Sequence, residues 1–278
     1  MMKKERIDVL LVERGHFNSR ERAQAALMAG NVLVNEHKIE KAGAKVPIDA
    51  QIRIIGDDLP YVSRGGLKLA KAIDVFEINL FDKIVADIGA STGGFTDCAL
   101  QNRARCVYAV DVGYGQLDWK LRNNPRVVNI ERTNARYLTC NQLPVRLDFI
   151  TIDVSFISLD KILPVVKDFL KEDGGVLALV KPQFEAGKEK IGKKGVVRDI
   201  DVHIEVLEKI VKMAKENAFI ISGLDFSPIK GQEGNIEYLL YLTRTGEDNY
   251  NIEKTIHLAQ LNMVRSNENY ETRDIPEF

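Results

Sequence analysis

The sequence predicts an α/β protein: a doubly wound, mostly parallel sheet of about seven strands, preceded by a small N-terminal α+β domain. Three observations carry this. Short apolar runs alternate with amphipathic helical stretches through the long C-terminal part of the chain, and one such run ends in an acid followed by a loop of small residues. The N-terminal part reads instead as helix, turn, helix and small sheet. At 278 residues, 45% hydrophobic and 28% charged, the chain has the length for one large domain and one small one, each with a core. The expected division is 1–57, a linker at 58–63, a large domain at 64–246 and a C-terminal extension at 247–278.

From the start, Arg6 to Gly15 sets Ile7, Leu10 and Leu11 along a short helix that glycine ends. Asn18 stands three residues before Glu21, a capping-box spacing that opens a second helix reaching Gly30. Val32 to Val34 is strand-like, and the chain then turns toward a further strand. Arg20 and Arg22 fall in the first turn of the second helix, where cations oppose the dipole. An RNA phosphate would offset that cost, and an ordinary solvated basic face is the other reading. The net charge of −1 decides nothing here, because basic residues can be concentrated locally.

After turn signals in DDLPYVS, the segment RGGLKLAKAIDVF reads as a helix, on which periodicity alone makes Lys68 a surface lysine. Ile84, Val85 and Ile88 then form a buried parallel strand. Gly89, Ala90, Ser91, Thr92, Gly93 and Gly94 let a ligand approach the backbone at its carboxyl end. A phosphate-binding P-loop is disfavoured because Phe95, not lysine, follows Gly94. A dinucleotide fingerprint fails at Ser91, where its second glycine belongs. A tight strand-to-helix turn without a ligand stays open. A second strand, Val107 to Val110, delivers Asp111 where an acid can accept ribose hydroxyls.

Next come a strand at Val127 to Ile130 and then Asn134, placed either to meet an adenine edge or to cap a turn. A strand at Phe149 to Ile152 closes on Asp153. KILPVVKDFLKEDGG predicts a helix stopped by Gly174 and Gly175, and Val176 to Val180 is a strand that delivers Lys181. Pro182 prevents further ladder bonding. Gln183 to Arg198 lacks a core period and predicts a mobile basic loop, either facing RNA backbone or merely connecting. Asp201 to Asn217 is an amphipathic helix, and FIISGLDFSPIKGQEGNIEYLLYL gives two closing strands, with Glu237 at the start of the second. The last residues, RSNENYETRDIPEF, are expected to stay loosely held.

Several of these segments resemble known families. RIDVLLVERGHFNSRERAQAALMAGNVLVNEHKI resembles the RNA-binding domain named for ribosomal protein S-four, and DIGASTGGFTD resembles motif I of the Rossmann-like methyltransferases. The order Lys68, Asp153, Lys181, Glu237 resembles the tetrad of FtsJ-like ribose methyltransferases. With SRGGLKL, DVSFIS, LVKPQFE and GNIE added, residues 5 to about 245 look like the haemolysin A / TlyA family of ribosomal RNA 2′-O-methyltransferases.

The resemblance implies a Rossmann-like methyltransferase domain, S-adenosyl-methionine as cofactor, and ribosomal RNA or assembled ribosomal subunits as partner, with cytidine ribose as target. It places cofactor contacts at Asp87, Gly89, Ala90, Ser91, Thr92, Gly93, Gly94, Phe95, Asp111, Asn134 and Asp153, and RNA contacts at Arg6, Arg14, Arg20, Arg22 and Lys38. In the tetrad, Lys181 would deprotonate the hydroxyl, Lys68 and Asp153 would position it, and Glu237 would brace the lysines. Lysine acts as a base only when neutral; burial and a second lysine promote that state, and the two acids oppose it.

Other classes are weighed against this. Cys98, Cys106 and Cys140 lack metal-ligand spacing with one another or with the histidines, so no metal site is expected and a reduced cytoplasmic setting fits. The start of the chain fails as a signal peptide, and no apolar run approaches the roughly 20 residues that span a bilayer. A pore former is therefore disfavoured. A non-catalytic RNA-binding protein with a methyltransferase fold conflicts with the complete tetrad, and a base methyltransferase lacks its N-P-P-Y-like signature after Asp153.

Overall fold

The structure is a computed structural model that describes residues 4–17, 19–28, 30–35, 37–39, 41–54, 59–192 and 195–271. The chain divides into two compact units, Met1–Leu59 and Pro60–Phe278.

In the first unit, β1 (Lys4–Arg6), α1 (Ile7–Glu13), α2 (Arg20–Met28), β2 (Val32–Val34), β3 (His37–Lys38), β4 (Lys45–Pro47) and β5 (Ile52–Ile54) follow in order. β1 pairs antiparallel with β4, and β2 lies antiparallel between β3 and β5. Ile7, Leu10 and Leu11 of α1 pack with Ala23 and Leu27 of α2 and with Val32, Val34 and Val46. Gly15, at φ 74°, adopts the left-handed conformation that lets the chain leave α1. The expected cap Asn18 lies outside the described residues, and Ser19 Oγ accepts the Arg22 N–H at 3.3 Å instead.

Asp8 is fully buried in this unit. Arg6 Nε and Nη2 donate to its carboxylate at 3.0 and 2.9 Å, Arg20 Nη2 at 2.9 Å and Gln24 Nε2 at 2.8 Å. The cost of Arg20 at a helix N-terminus is thus offset inside the unit.

The second unit contains α3 (Gly65–Val75), β6 (Ile84–Ile88), α4 (Gly94–Gln101), β7 (Cys106–Val110), α5 (Trp119–Arg122), β8 (Val127–Ile130) and β9 (Leu147–Ile152). These are followed by α6 (Leu163–Lys167), β10 (Leu170–Val180), α7 (Pro182–Glu185), α8 (Ile200–Glu216), β11 (Ile220–Phe226), β12 (Tyr238–Thr243) and α9 (Ile252–Glu271). The sheet has seven strands in the order β11-β12-β10-β9-β6-β7-β8. Only β12 runs against its neighbours, pairing antiparallel with both β10 and β11. The chain winds outward from β6 through β7 to β8 and then crosses to β9 on the other flank of β6. Such a reversal opens a crevice at the carboxyl ends of the two central strands, where open α/β sheets bind ligands.

Two expectations need correction. The helix expected over KILPVVKDFLKEDGG ends at Lys167, and β10 already begins at Leu170, with a register shift against β9 before Gly175. Burial explains it: Phe169 and Leu170 belong to the core, and the Phe169 carbonyl accepts the Leu147 N–H at 2.8 Å. Nor is Gln183 to Arg198 a coreless loop. It opens with α7, its Glu185 and Val197 are buried, and Ala186 and Ile191 pack on the main core; Lys193 and Lys194 lie outside the described residues. The C-terminal stretch forms α9, whose Ile256 and Ala259 join that core, and residues 272–278 lie outside the described residues.

The Arg6 fork, working against burial and helped by Gln24 and Arg20, holds the Asp8 carboxyl far below the usual carboxylate range. A depressed folded pKa gives stability that is complete above the unfolded value near 4 and lost as pH falls through the folded one. Asp8→Asn is therefore expected to cost the first unit about 3 kcal/mol at pH 7. Hydrogen exchange of amides 7–13 would read the loss, and the gap to wild type should close only in strong acid.

Candidate active site

β6 ends in a buried acid. Asp87 accepts the Thr96 hydroxyl at 2.7 Å and the Thr151 hydroxyl at 3.0 Å, which ties the start of α4 and the carboxyl end of β9 to β6. Burial drives the Asp87 carboxyl up to about 6; the two hydroxyls oppose the rise, and neighbouring Asp153 adds to it.

The loop after β6 bends back tightly. The N–H groups of Gly89 and Ala90 both donate to the Val110 carbonyl, at 2.8 and 3.1 Å. Gly89 has φ 85°, and a Cβ there would stand 2.6 Å from the Asp153 carbonyl, so only glycine lets the ends of β6 and β9 come this close. At the other flank, Asp111 accepts the Ser91 N–H at 2.7 Å and the Gly113 N–H at 2.6 Å, which fixes the carboxylate at the end of β7.

A cavity of about 400 Å³ opens at this edge. Asp87, Gly89, Ala90, Ser91, Thr92, Gly94 and Phe95 line it together with Lys68, Asp153, Lys181 and Glu237. Gly93 faces away, with Leu117 and Leu121 against it, and Asp111 is not in the wall. Asn134 also lies outside it; its Oδ1 accepts the Arg136 N–H at 3.1 Å and caps a short helical turn. The volume suits a cofactor of nucleoside size, and small residues leave one wall open to backbone contact.

The four polar residues meet at one point because three strands put them there. Asp153 follows β9, Lys181 follows the neighbouring β10, and Glu237 precedes β12, which runs the other way, so all three reach the same edge. Lys68 comes down from the buried face of α3. Its Nζ stands 2.6 Å from Glu237 Oε2 and 3.2 Å from Asp153 Oδ2, while Lys181 Nζ stands 2.5 Å from Asp153 Oδ1 and 3.1 Å from Ser155 Oγ. Asp153 thus gives one oxygen to each lysine, and Glu237 gives its charge to Lys68.

Burial works against the charge on Lys68, but the two carboxylates outweigh it and raise its pKa. Burial also opposes the charge on Asp153, and the two ammonium groups overcome that and lower its pKa. Lys68 is held as a fixed cation. Lys181 meets Asp153 but not Glu237 among these ion pairs.

In and beside the cavity wall stand residues that sequence reasoning passed over; Phe184 lines it, and Phe156 meets the cavity through that ring. Phe156 has φ 64° and is 84% exposed, and its ring lies 4.9 Å from that of Phe184. A bulky residue held in the left-handed region, next to Ser155 and displaying its ring, is strain of the kind that functional loops store. Arg64 and Lys230, both exposed, add positive charge to the lining, and Gln183 contributes a buried amide. In the first unit, Arg6 and Arg20 spend part of their forks on Asp8 but keep side chains 44% and 50% exposed. Arg14 donates to the carbonyls of Ala50 and Ile48, Arg22 is half-buried, and Lys38 packs beside Gly30.

Comparison with known proteins returns two families: the FtsJ-like methyltransferase model matches residues 61–244 and the S4 domain model residues 5–52. YqxC of Bacillus subtilis, provisionally named an rRNA methyltransferase, is 55% identical over 246 residues, 88% of each chain. The 16S/23S rRNA (cytidine-2'-O)-methyltransferase TlyA of Mycobacterium tuberculosis is 39% identical over 264 residues, 93% of this chain and 98% of that one. A solved structure from Streptococcus thermophilus, described provisionally as a hemolysin, has a TM-score of 0.77 and 46% identity, covering 96% of this chain and all of that one. Among the described residues no helix is long and apolar enough to cross a membrane.

The raised Asp87 carboxyl has a measurable consequence. The folded state binds its proton more tightly than the unfolded one, so stability falls as pH rises from about 4 to about 6. Asp87→Asn removes that penalty. Thermal unfolding is expected to show the variant stabilised by about 2 kcal/mol at pH 8 and level with wild type at pH 4.

Proposed function

The chain belongs to the FtsJ-like methyltransferase family, and from that premise we propose that it methylates a ribose 2′-hydroxyl of ribosomal RNA, with cytidine as the target and S-adenosyl-methionine as the donor. The observation that carries this reading is the Lys68, Asp153, Lys181, Glu237 cluster at the mouth of a nucleoside-sized cavity.

Asp87, Gly89 to Thr92, Gly94 and Phe95, which line the cavity, would hold the cofactor, with Asp111 and Asn134 outside that wall and Asp153 at the border with the substrate. The bound cofactor supplies a methyl group already activated by a positive sulfur. What the protein adds is a base and an alignment. Lys181, in its neutral form, takes the hydroxyl proton. Asp153 holds Lys181 in place through Oδ1, and Ser155 gives it a second anchor. Lys68, kept charged by Glu237, lies where it can stabilise the oxygen as negative charge develops. A ribose inside the cavity brings its base out of the RNA stack, and the paired rings of Phe156 and Phe184 offer that base a face.

The first unit would grip RNA through Arg6, Arg14, Arg20, Arg22 and Lys38. The buried Asp8 pre-orients two of these guanidinium groups and leaves their outer donors for phosphate. Ribosomal RNA as substrate, whether free or in assembled subunits, puts the protein in the cytoplasm.

The decisive experiment incubates the protein with unmodified ribosomal subunits and labelled donor and maps the methyl group, which is expected on a single ribose. Lys181→Ala should lower the rate by about 10²–10⁴-fold with donor affinity retained. A wild-type rate in that variant would remove Lys181 from the role of base. Phe156→Ala should raise the KM for RNA roughly tenfold and leave donor binding alone.

A further inference from the structure

Gln183 carries an unexplained feature. It is the second residue of α7, lies in the cavity wall and is only 8% exposed, yet its Oε1 is buried without a hydrogen-bond partner. A primary amide offers one acceptor and two donors, and a buried acceptor left unmet carries a desolvation cost that packing would normally avoid. Its neighbours show the avoidance: Glu185, on the same short helix, has both oxygens satisfied by Ser158 Oγ and the Leu159 N–H. A hydrogen-bond donor is missing from the Gln183 site.

Topology says which molecule brings it. Gln183 follows β10, whereas the small-residue loop follows β6, and β9 stands between the two strands. Gln183 therefore belongs to the Lys181 side of the cavity, two residues after that lysine and next to Phe184 in the chain, and Asp111 is not in the wall. Because Lys181 is the base proposed for the group methylated, a donor arriving on its side is assigned to that group rather than to the cofactor. Within RNA, the reacting 2′-hydroxyl gives its proton to the base and the phosphates carry none; apart from the hydroxyls of neighbouring riboses, the donors are N–H groups on the edge of the nucleobase. Oε1 has no partner to lose, so turning about the last torsion toward that edge breaks no hydrogen bond of that atom.

We infer that Gln183 is a specificity residue that accepts an exocyclic amine N–H from the base of the target nucleotide while Phe156 and Phe184 stack on its face. The inference rests on the ribose-methyltransferase reading above and extends it from the sugar to the base. For a cytidine target the donor is the 4-amine. Enzymes whose buried groups expect a hydrogen bond discriminate strongly against a ligand lacking it.

The test uses the full chain and ribosomal RNA ligated to carry, at the mapped position, either cytidine or 2-pyrimidinone riboside, the same ring without its amine. Methylation of the cytidine RNA by wild type checks the broader reading separately. Wild type is expected to lose about tenfold in kcat/KM on the amine-less RNA. Gln183→Met, close in volume and without an acceptor, should lose about as much on cytidine and treat the two RNAs within twofold. Its melting temperature and donor affinity should match wild type, because it removes an unmet polar group. Equal use of both RNAs by wild type overturns the inference, as does a Gln183→Met protein that keeps the full preference. A loss equal on both RNAs and accompanied by a lower melting temperature also overturns it, since that is the signature of a packing role.

Discussion

Asp153 holds two ammonium groups with one carboxylate, and the active end of the sheet depends on that division. A single ion pair would leave a second buried lysine uncompensated, at a cost of several kcal/mol. With Oδ1 on Lys181 and Oδ2 on Lys68, both cations stay in place, and Glu237 breaks the symmetry by adding its charge to Lys68 alone. Two lysines in one pocket become chemically unequal. Lys68 meets two carboxylates, whereas Lys181 meets Asp153 and the Ser155 hydroxyl.

The same economy appears in the backbone. β6 and β9 part at the point where the winding reverses, and Gly89 brings the ends of the two strands into contact there. A side chain at Gly89 would push Asp153 outward and move both lysines with it. The loop that lines the cavity and the carboxylate that organises the lysines are thus set by one close approach. In the first unit Asp8 does comparable work, orienting Arg6 and Arg20 from beneath while their outer edges remain exposed.

Much of this was legible from the chain. Strand positions followed from apolar runs ending in Asp87, Asp111, Asp153 and Lys181, because a parallel strand buried on both faces leaves a continuous signature. Lys68 was legible only through its resemblance to a known tetrad; helical periodicity reads it as solvent-facing, and what buries it is a pair of carboxylates from strands far along the chain. Phe156 escaped because a positive φ at a phenylalanine has no local signal. The helix expected to run to Gly174 failed for a related reason: Leu170 is claimed by pairing with Leu147, a contact between elements that helical period does not encode. Arg6 and Arg20 were legible as cations but not as partners of Asp8, which lies within a helix that otherwise reads as an ordinary amphipathic turn.

β12 is the last strand of the chain, and it inserts between β10 and β11 with Glu237 at its leading end. During synthesis, Lys68, Asp153 and Lys181 emerge well before the residue that completes their set, and β10 remains an open border until the final hairpin closes. Until β12 enters the sheet, two ammonium groups share the one carboxylate of Asp153, and the fourth charge of the cluster arrives only with the last step of sheet assembly.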